Sequence, residues 1–178
     1  MQSNRKQEIY AHFEQNAGDY LQYRKRFSYY GKDIINYLNF FISESDTVLE
    51  IGCGNGDTIH HLKGKEKTGI DFSPKMIEVA KANFSDVDFL VMDAENIKLE
   101  KKFDVIIFNN IIGYLENVQD VFYAIKKNCH EHTRVIISYY NHYWQPLLNL
   151  GETIGYKKKS PQQNWLDTKD ISNLLYLS

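Results

Sequence analysis

The 178-residue sequence lacks most features that would identify a secreted, membrane-spanning or nucleic-acid-binding protein. Its two cysteines, Cys53 and Cys129, have neither metal-site nor redox spacing, so we expect reduced thiols. No apolar run approaches the roughly 18 residues that cross a bilayer, and the polar residues 1–7 do not resemble a secretory leader. A net charge of −2 argues against a broad basic face. We expect a cytoplasmic protein that binds no nucleic acid, with association with a membrane enzyme left open.

The histidines do not have the arrangement of a metal site. His60 and His61 are adjacent, and the run 130–132 places two histidines around a glutamate, so neither group puts paired ligands on one helix face. We therefore expect no bound metal. The basic run 157–159 is interpreted as a solvated loop, with contact to an anionic ligand as the alternative.

Short β-branched, apolar runs alternate with helical patterns along most of the chain. We predict five buried strands, at 47–51, 66–70, 87–92, 103–108 and 133–139. We predict helices between or after them, at 57–63, 74–83, 118–128 and 167–177. Two further helices are expected before the first strand, at 6–16, ending in a break at 16–19, and at 27–41. This order predicts an α/β domain with parallel strands and helices on both faces.

A glycine-rich bend separates the first strand from the next helix. Gly52, Gly54 and Gly56 have the spacing G-x-G-x-G, which differs from the dinucleotide fingerprint G-x-G-x-x-G. Glu50 and Asp57 bracket the bend with negative charge. That charge would repel a pyrophosphate but favours a cationic sulfonium and an ammonium. The bend therefore suits S-adenosylmethionine (SAM) better than NAD.

Asp71 ends the second predicted strand, at the edge of the sheet where ligands of such folds bind. A carboxylate there can accept two hydrogen bonds from ribose hydroxyls. The alternative is that Asp71 caps the helix that begins near Pro74, but capping suits Ser73 better.

Asp93 ends the third predicted strand and is the candidate for adenine recognition. Its carboxylate can accept a hydrogen bond from the adenine amino group, while the Ala94 amide faces a ring nitrogen. The alternative is that Asp93 only starts the turn before Ile97.

Together these segments resemble the class I SAM-dependent methyltransferase family, over about residues 10–139. The run 48–56 is similar to the family's first motif, 69–77 to its second, and 103–112 to its fourth strand. The resemblance implies a Rossmann-like, doubly wound, mostly parallel sheet of strand order 3-2-1-4-5, without the family's strands six and seven.

The resemblance also implies one SAM-binding domain over 1–178. Residues 1–45 would form a helical preface and lid, 46–140 the cofactor-binding core, and 141–178 the acceptor-side and C-terminal helices. We expect the chain to be part of a longer polypeptide, with a fused C-terminal domain or a homodimer partner covering the open sheet edge. The region 140–167 resembles methyltransferase modules fused to bacterial glycosyltransferases, which suggests a carbohydrate or lipid-linked sugar acceptor.

The resemblance assigns cofactor contacts to the matching positions. Gly52 and Gly54 would pack along the methionine part, Glu50 would hold its amine, and Asn109 would offer a backbone carbonyl near the amine and the methyl group. In the preface, Tyr20 would cover the site, and Arg24 would meet the carboxylate or remain a surface charge. The predicted cofactor-binding residues are Tyr20, Arg24, Glu50, Gly52, Cys53, Gly54, Asp71, Phe72, Met76, Asp93, Ala94, Asn109 and Ile111.

Methyl transfer from a sulfonium is an in-line displacement, so a base is needed only when the acceptor must lose a proton. His142, just past the fifth strand, is the first candidate base and Tyr114 the second, although a structural histidine is the common alternative. The aromatic run 139–144 would provide a stacking platform for an acceptor or pack against later helices. The run 109–112 contains no proline, which disfavours methylation of nucleobase amines.

Three functions agree with these residues to different degrees. The first is SAM-dependent methylation of a small molecule or glycan. The second is a non-catalytic module that binds SAM or its product and regulates or scaffolds a partner enzyme. The third is a dinucleotide-dependent oxidoreductase, which the bend disfavours.

Overall fold

The computed structural model describes residues 3–26, 28–139, 150, 153, 161 and 163–177, without the side chains of 19–28. Its strands form one sheet of order β3-β2-β1-β4-β5, in which every neighbouring pair is parallel. The strands are β1 (Thr47–Ile51), β2 (Glu66–Asp71), β3 (Asp88–Val91), β4 (Val105–Asn109) and β5 (Arg134–Ser138). The predicted fold class and strand order are confirmed.

Helices cover both faces of this sheet. They are α1 (Asn4–Arg26), α2 (Ser28–Phe40), α3 (Asp57–His60), α4 (Pro74–Asn83), α5 (Val118–Lys126) and α6 (Thr168–Leu177). Short 3₁₀ turns lie at Ala94–Asn96 and Ile112–Tyr114. Among the described helices, none combines the length and apolarity that crossing a bilayer requires.

The two sides of the central strands pack into different clusters because successive side chains point to opposite faces. Leu49 and Phe108 face α5, where the Phe108 and Phe122 rings meet edge to face at 5.7 Å. Val48 and Ile107 face the other way, in the cluster that contains Leu38 from α2. Burial on both sides explains why β1 and β4 are almost continuously apolar.

The first helix is longer than predicted, and the break expected at 16–19 is wrong. α1 continues through Gly18, and no atom of the described residues lies within 4 Å of a Cβ added there. Ala17 is buried beside it, at 2% exposure. A glycine inside a helix costs only about 1 kcal/mol relative to alanine, so burial of the neighbouring face can offset it.

Replacing Gly18 by alanine is therefore expected to stabilise the protein by about 0.5–1 kcal/mol, because it removes backbone freedom from the unfolded chain without a steric clash. Thermal denaturation should show a midpoint about 1–4 °C higher. Gly54→Ala is the matched control, because its Cβ would also meet nothing within 4 Å but its φ is +53°. That substitution should lower the midpoint, and a lower midpoint for Gly18→Ala would contradict the continuous helix.

Candidate cofactor site

The glycine bend, residues 52–56, lies at the carboxyl end of β1 and is hydrogen-bonded to the end of β2. Gly52, Gly54 and Gly56 have φ values of 71°, 53° and 79°, which only glycine adopts readily. The Gly52 and Cys53 N–H groups both donate to the Ile70 carbonyl, at 2.8 and 3.0 Å. The bend is therefore held beside Asp71, which follows Ile70 at the end of β2.

Asp71 connects the bend to the start of α4. One carboxylate oxygen accepts the Gly54 N–H at 2.9 Å, and the other accepts the Ser73 N–H at 2.9 Å. Ser73 itself caps α4 by accepting the Met76 N–H at 3.2 Å, as predicted. The Phe72 N–H also interacts with this carboxylate. An ionised carboxylate has about four acceptor positions, so capacity for a further donor remains. Among the described residues, nothing lies within 4 Å of a Cβ added at Gly54, so the space beyond it is open there.

Buried carboxylates give the bend a negative field. Glu50 is 1% exposed and Asp71 is 8% exposed. Burial raises the pKa of Asp71 from 3.8 to about 6, and the nearby Glu14 carboxylate adds to the rise. Burial also raises the pKa of the Cys53 thiol well above its usual range, with further contributions from Asp71 and Glu50. A cationic ligand at the bend would relieve this repulsion.

This raised pKa predicts a pH dependence for any ligand that needs the ionised Asp71 carboxylate. The Kd for SAM should be flat above about pH 7 and rise by up to about tenfold per pH unit below pH 6, because protonation removes acceptors. The free energy of unfolding changes in the opposite direction. The raised pKa of Asp71 stabilises the folded state, fully so below pH 3.8, and this contribution is lost as the pH rises through about 6. Titration calorimetry between pH 5 and 8 checks the binding, and Asp71→Asn should abolish the slope. A slope that persists in Asp71→Asn would assign it to another group.

The end of β4 meets the bend from the other side. A Cβ built on Gly52 would lie 2.1 Å from Ile111 Cδ1, so the Ile111 side chain rests directly on this glycine. The Asn109 side-chain oxygen accepts from Ser138 Oγ at 2.6 Å, and its nitrogen donates to Thr58 Oγ1 at 3.3 Å. These bonds commit the Asn109 side-chain amide to the protein, and the contact of its backbone carbonyl with the cofactor stays a prediction.

Asp93 is already engaged at the end of β3. Its Oδ1 accepts the Glu95 N–H at 3.0 Å and so starts the 3₁₀ turn, and its Oδ2 lies 2.7 Å from Lys6 Nζ. These contacts are those expected if Asp93 starts the turn before Ile97. Its contact with adenine stays a prediction. Ala94 is buried, at 7% exposure, in the main apolar cluster.

Three other predicted cofactor residues differ in accessibility. The Cys53 side chain packs with Phe89 and Ile77 in an apolar cluster, and Met76 is 1% exposed. At Cys53, only backbone atoms could contact a ligand directly. At Met76, the side chain would have to move before it could contact one. Phe72 is half-buried and meets the Tyr10 ring edge to face at 5.6 Å.

Sequence reasoning missed that α1 crosses the carboxyl edge of the sheet. Arg5 donates to the Gly113 carbonyl at 2.8 Å, near the end of β4. Glu14 Oε1 accepts from Ser73 Oγ at 2.6 Å and from the Lys75 N–H at 3.0 Å, beside Asp71. The helical pattern predicted a helix here, but no signal in it indicated which distant backbone groups its polar residues would reach.

The remaining predictions divide between described and undescribed residues. His142 and the side chains of Tyr20 and Arg24 lie outside the described part of the chain. Tyr114 lies inside it, and its hydroxyl accepts a hydrogen bond from Gln163 Nε2. Its ring meets Phe13 of α1 edge to face at 5.3 Å.

An open pocket lies where β4 and β5 end, with about 430 Å³ of empty space when the open solvent at its mouth is included. We call it the β4–β5 pocket. Its described lining consists of Asn110, Ile112, Gly113, Tyr114, Tyr139, Gln163, Asn164, Trp165 and Leu166. It therefore lies on the far side of β4 from β1 and the glycine bend.

Comparison with known proteins agrees with this fold. A family model described as a methyltransferase domain matches residues 42–175, so the chain belongs to this methyltransferase family, as the resemblance predicted. A SAM-dependent methyltransferase from Thermotoga maritima has the same fold, with a TM-score of 0.75 at 19% identity, over 95% of this chain and 79% of that one.

Two curated relatives show more sequence similarity over shorter stretches. The malonyl-[acyl-carrier protein] O-methyltransferase of Acetivibrio thermocellus is 32% identical over 55% of this chain and 37% of its own length. The ubiquinone biosynthesis O-methyltransferase of Pelagibacter ubique is 36% identical over 58% of this chain and 46% of its own length. The matches thus span about a third to a half of these relatives.

Proposed function

We propose that the protein binds SAM at the glycine bend and transfers its methyl group to a small-molecule or carbohydrate acceptor. The observation that carries this proposal is the open, negatively lined bend, with Gly54 facing free space beside the buried Asp71. Family membership and the O-methyltransferase names of the relatives support it. SAM supplies an electrophilic methyl group on a sulfonium.

The residues of this chain would hold and orient that donor. Asp71 would accept the ribose hydroxyls, Glu50 would attract the ammonium group, and Gly52 and Gly54 would let the chain approach closely. Ile111, packed on Gly52, would exclude water at the methionine end. Because the leaving group is good, alignment and desolvation supply most of the acceleration. Tyr114 or His142 would remove a proton where the acceptor is a hydroxyl.

Incubation of the protein with methyl-labelled SAM and fractionated sugar and lipid extracts tests the proposal. The expected result is label in an extract component together with stoichiometric S-adenosylhomocysteine (SAH). The Asp71→Ala variant should show a raised KM for SAM. Tight binding of SAM and SAH without transfer to any fraction would replace this proposal with the non-catalytic binding module.

A further inference from the structure

The outward side of α2 carries several exposed aromatic rings. Tyr29, Tyr37 and Phe40 are 80%, 71% and 82% exposed, and Phe41, the residue after the helix, is 50% exposed. The Phe40 and Phe41 rings meet edge to face at 5.1 Å. The opposite side of the helix faces the core through Leu38, at 3% exposure. α2 therefore carries large apolar side chains on both sides, and one of these sides faces solvent.

These four rings expose enough surface for a protein interface. An aromatic side chain can bury about 150–250 Å², so at these exposures the four rings offer roughly 400–700 Å² per molecule. The largest apolar patch on a monomeric protein is typically about 300–600 Å² and often marks an interaction site. A specific interface of small to standard size buries about 600–800 Å² on each partner. The outward side of α2 by itself therefore approaches the area that a weak but specific complex requires.

Along the middle of this side, the kinds of residue follow the same order in both directions. The line consists of Tyr29, Asp33, Asn36 and Phe40, and we call it the α2 seam. Successive members are four, three and four residues apart, which places them on one side of a helix. Aromatic residues stand at both ends of the seam and polar residues in its middle. An arrangement that is the same from either end is what a helix needs in order to pair with a copy of itself.

A two-fold axis would bring the two ends of the seam together. Such an axis makes two identical helices antiparallel, and every contact then occurs twice. With the axis midway along the seam, Tyr29 of each copy lies opposite Phe40 of the other. The Asp33 and Asn36 side chains of both copies meet around the axis, where the N–H groups of the two Asn36 amides can donate to the two carboxylates and offset their repulsion. Polar residues in the middle of an apolar seam select this register, because a shift along the helix would place a carboxylate against a ring.

We infer that the outward side of α2 is a homodimer interface, which pairs antiparallel with α2 of a second copy of this chain and places Tyr29 opposite Phe40. The surface differs from the β5 edge, where the sequence led us to expect a covering partner. The inference is independent of the proposed function, because no ligand takes part in the contact.

Sedimentation velocity on the 178-residue protein, from about 1 to 200 µM, tests whether the dimer forms. A reversible monomer–dimer equilibrium is expected, with a Kd in the micromolar range because the interface is small. Tyr29→Ser and Phe40→Ser should each raise this Kd at least about tenfold, since each substitution removes a ring at both ends of the interface. Tyr176→Ser is the matched control, because it removes a ring that is 91% exposed on α6, and it should leave the Kd unchanged. Circular dichroism should show the same fold for all three variants, whose substituted side chains are exposed.

Disulfide crosslinking tests the register of the two helices. Tyr29→Cys and Phe40→Cys are made in a Cys129→Ser background, in which the remaining thiol, Cys53, is buried. Within a dimer of either variant alone, the two introduced thiols would lie about 16 Å apart along the helix axis, which is too far for a disulfide. In an equimolar mixture of the two variants, the introduced thiols would face each other. Mild oxidation should therefore crosslink the mixture and neither variant alone.

The possible outcomes decide for or against the interface. A Kd that rises in Tyr29→Ser and Phe40→Ser but not in Tyr176→Ser, together with crosslinking of the mixture alone, supports the inference. A monomer at every concentration overturns it. A dimer whose Kd neither Tyr29→Ser nor Phe40→Ser changes, or crosslinking of either cysteine variant by itself, also overturns it, because the contact would then lie elsewhere or in another register.

Discussion

Replacing Asp71 by alanine is expected to weaken SAM binding by about 1–3 kcal/mol, a roughly 5- to 150-fold higher Kd. The reason is the loss of a carboxylate that would accept the ribose hydroxyls and that already accepts the Gly54 and Ser73 N–H groups. Titration calorimetry with SAM measures the change. Asp88→Ala is the matched control, because Asp88 is an exposed carboxylate at the opposite end of a neighbouring strand.

Two further ligands make this test more specific. Since 5′-methylthioadenosine and SAH keep the ribose, Asp71→Ala should weaken both about as much as it weakens SAM. Asp71→Asn keeps one acceptor oxygen and should fall between the wild type and alanine. An unchanged Kd for all three ligands would refute the ribose role of Asp71.

Replacing Glu50 by glutamine should weaken SAM and SAH by about 10- to 100-fold and leave 5′-methylthioadenosine within about twofold. Glu50 is 1% exposed at the end of β1, where its charge would attract the ammonium group of the amino-acid part. A hydrogen bond to a charged group contributes about 1.5–3 kcal/mol, and 5′-methylthioadenosine has no such group. Calorimetry with the three ligands measures the difference between Glu50→Gln and the wild type.

Comparison of the two variants distinguishes direct contact from damage to the bend. Gln has nearly the shape of Glu, so the variant should keep its fold, which circular dichroism and the thermal midpoint can check. If Glu50→Gln weakened 5′-methylthioadenosine as strongly as SAM, Glu50 would act by shaping the bend and the ammonium contact would be wrong.

Most of the sheet could be predicted because its signals are local. The buried runs at 47–51 and 103–108 fall on β1 and β4, which are apolar on both sides. The choice of Ser73 over Asp71 as the cap of α4 also followed from the short sequence around Pro74. Strand ends moved by one or two residues, as at β4, because hydrogen-bonded pairing rather than apolarity defines them.

The features that escaped prediction depend on contacts between distant residues. α1 passes through Gly18 because tertiary packing outweighs the weak helix propensity of glycine. Lys6 reaches Asp93 and Glu95, and Glu14 reaches Ser73, although nothing in the order of residues pairs them. The Met76 side chain lies inside the protein, and its contact with the cofactor stays a prediction.

The most direct measurement is titration calorimetry of the wild-type protein with SAM and, separately, with NAD at pH 7.5. A bend lined by buried carboxylates should give saturable one-site binding of SAM and no heat with NAD, because the pyrophosphate would enter a negative field. Saturable binding of NAD together with silence toward SAM would contradict the account.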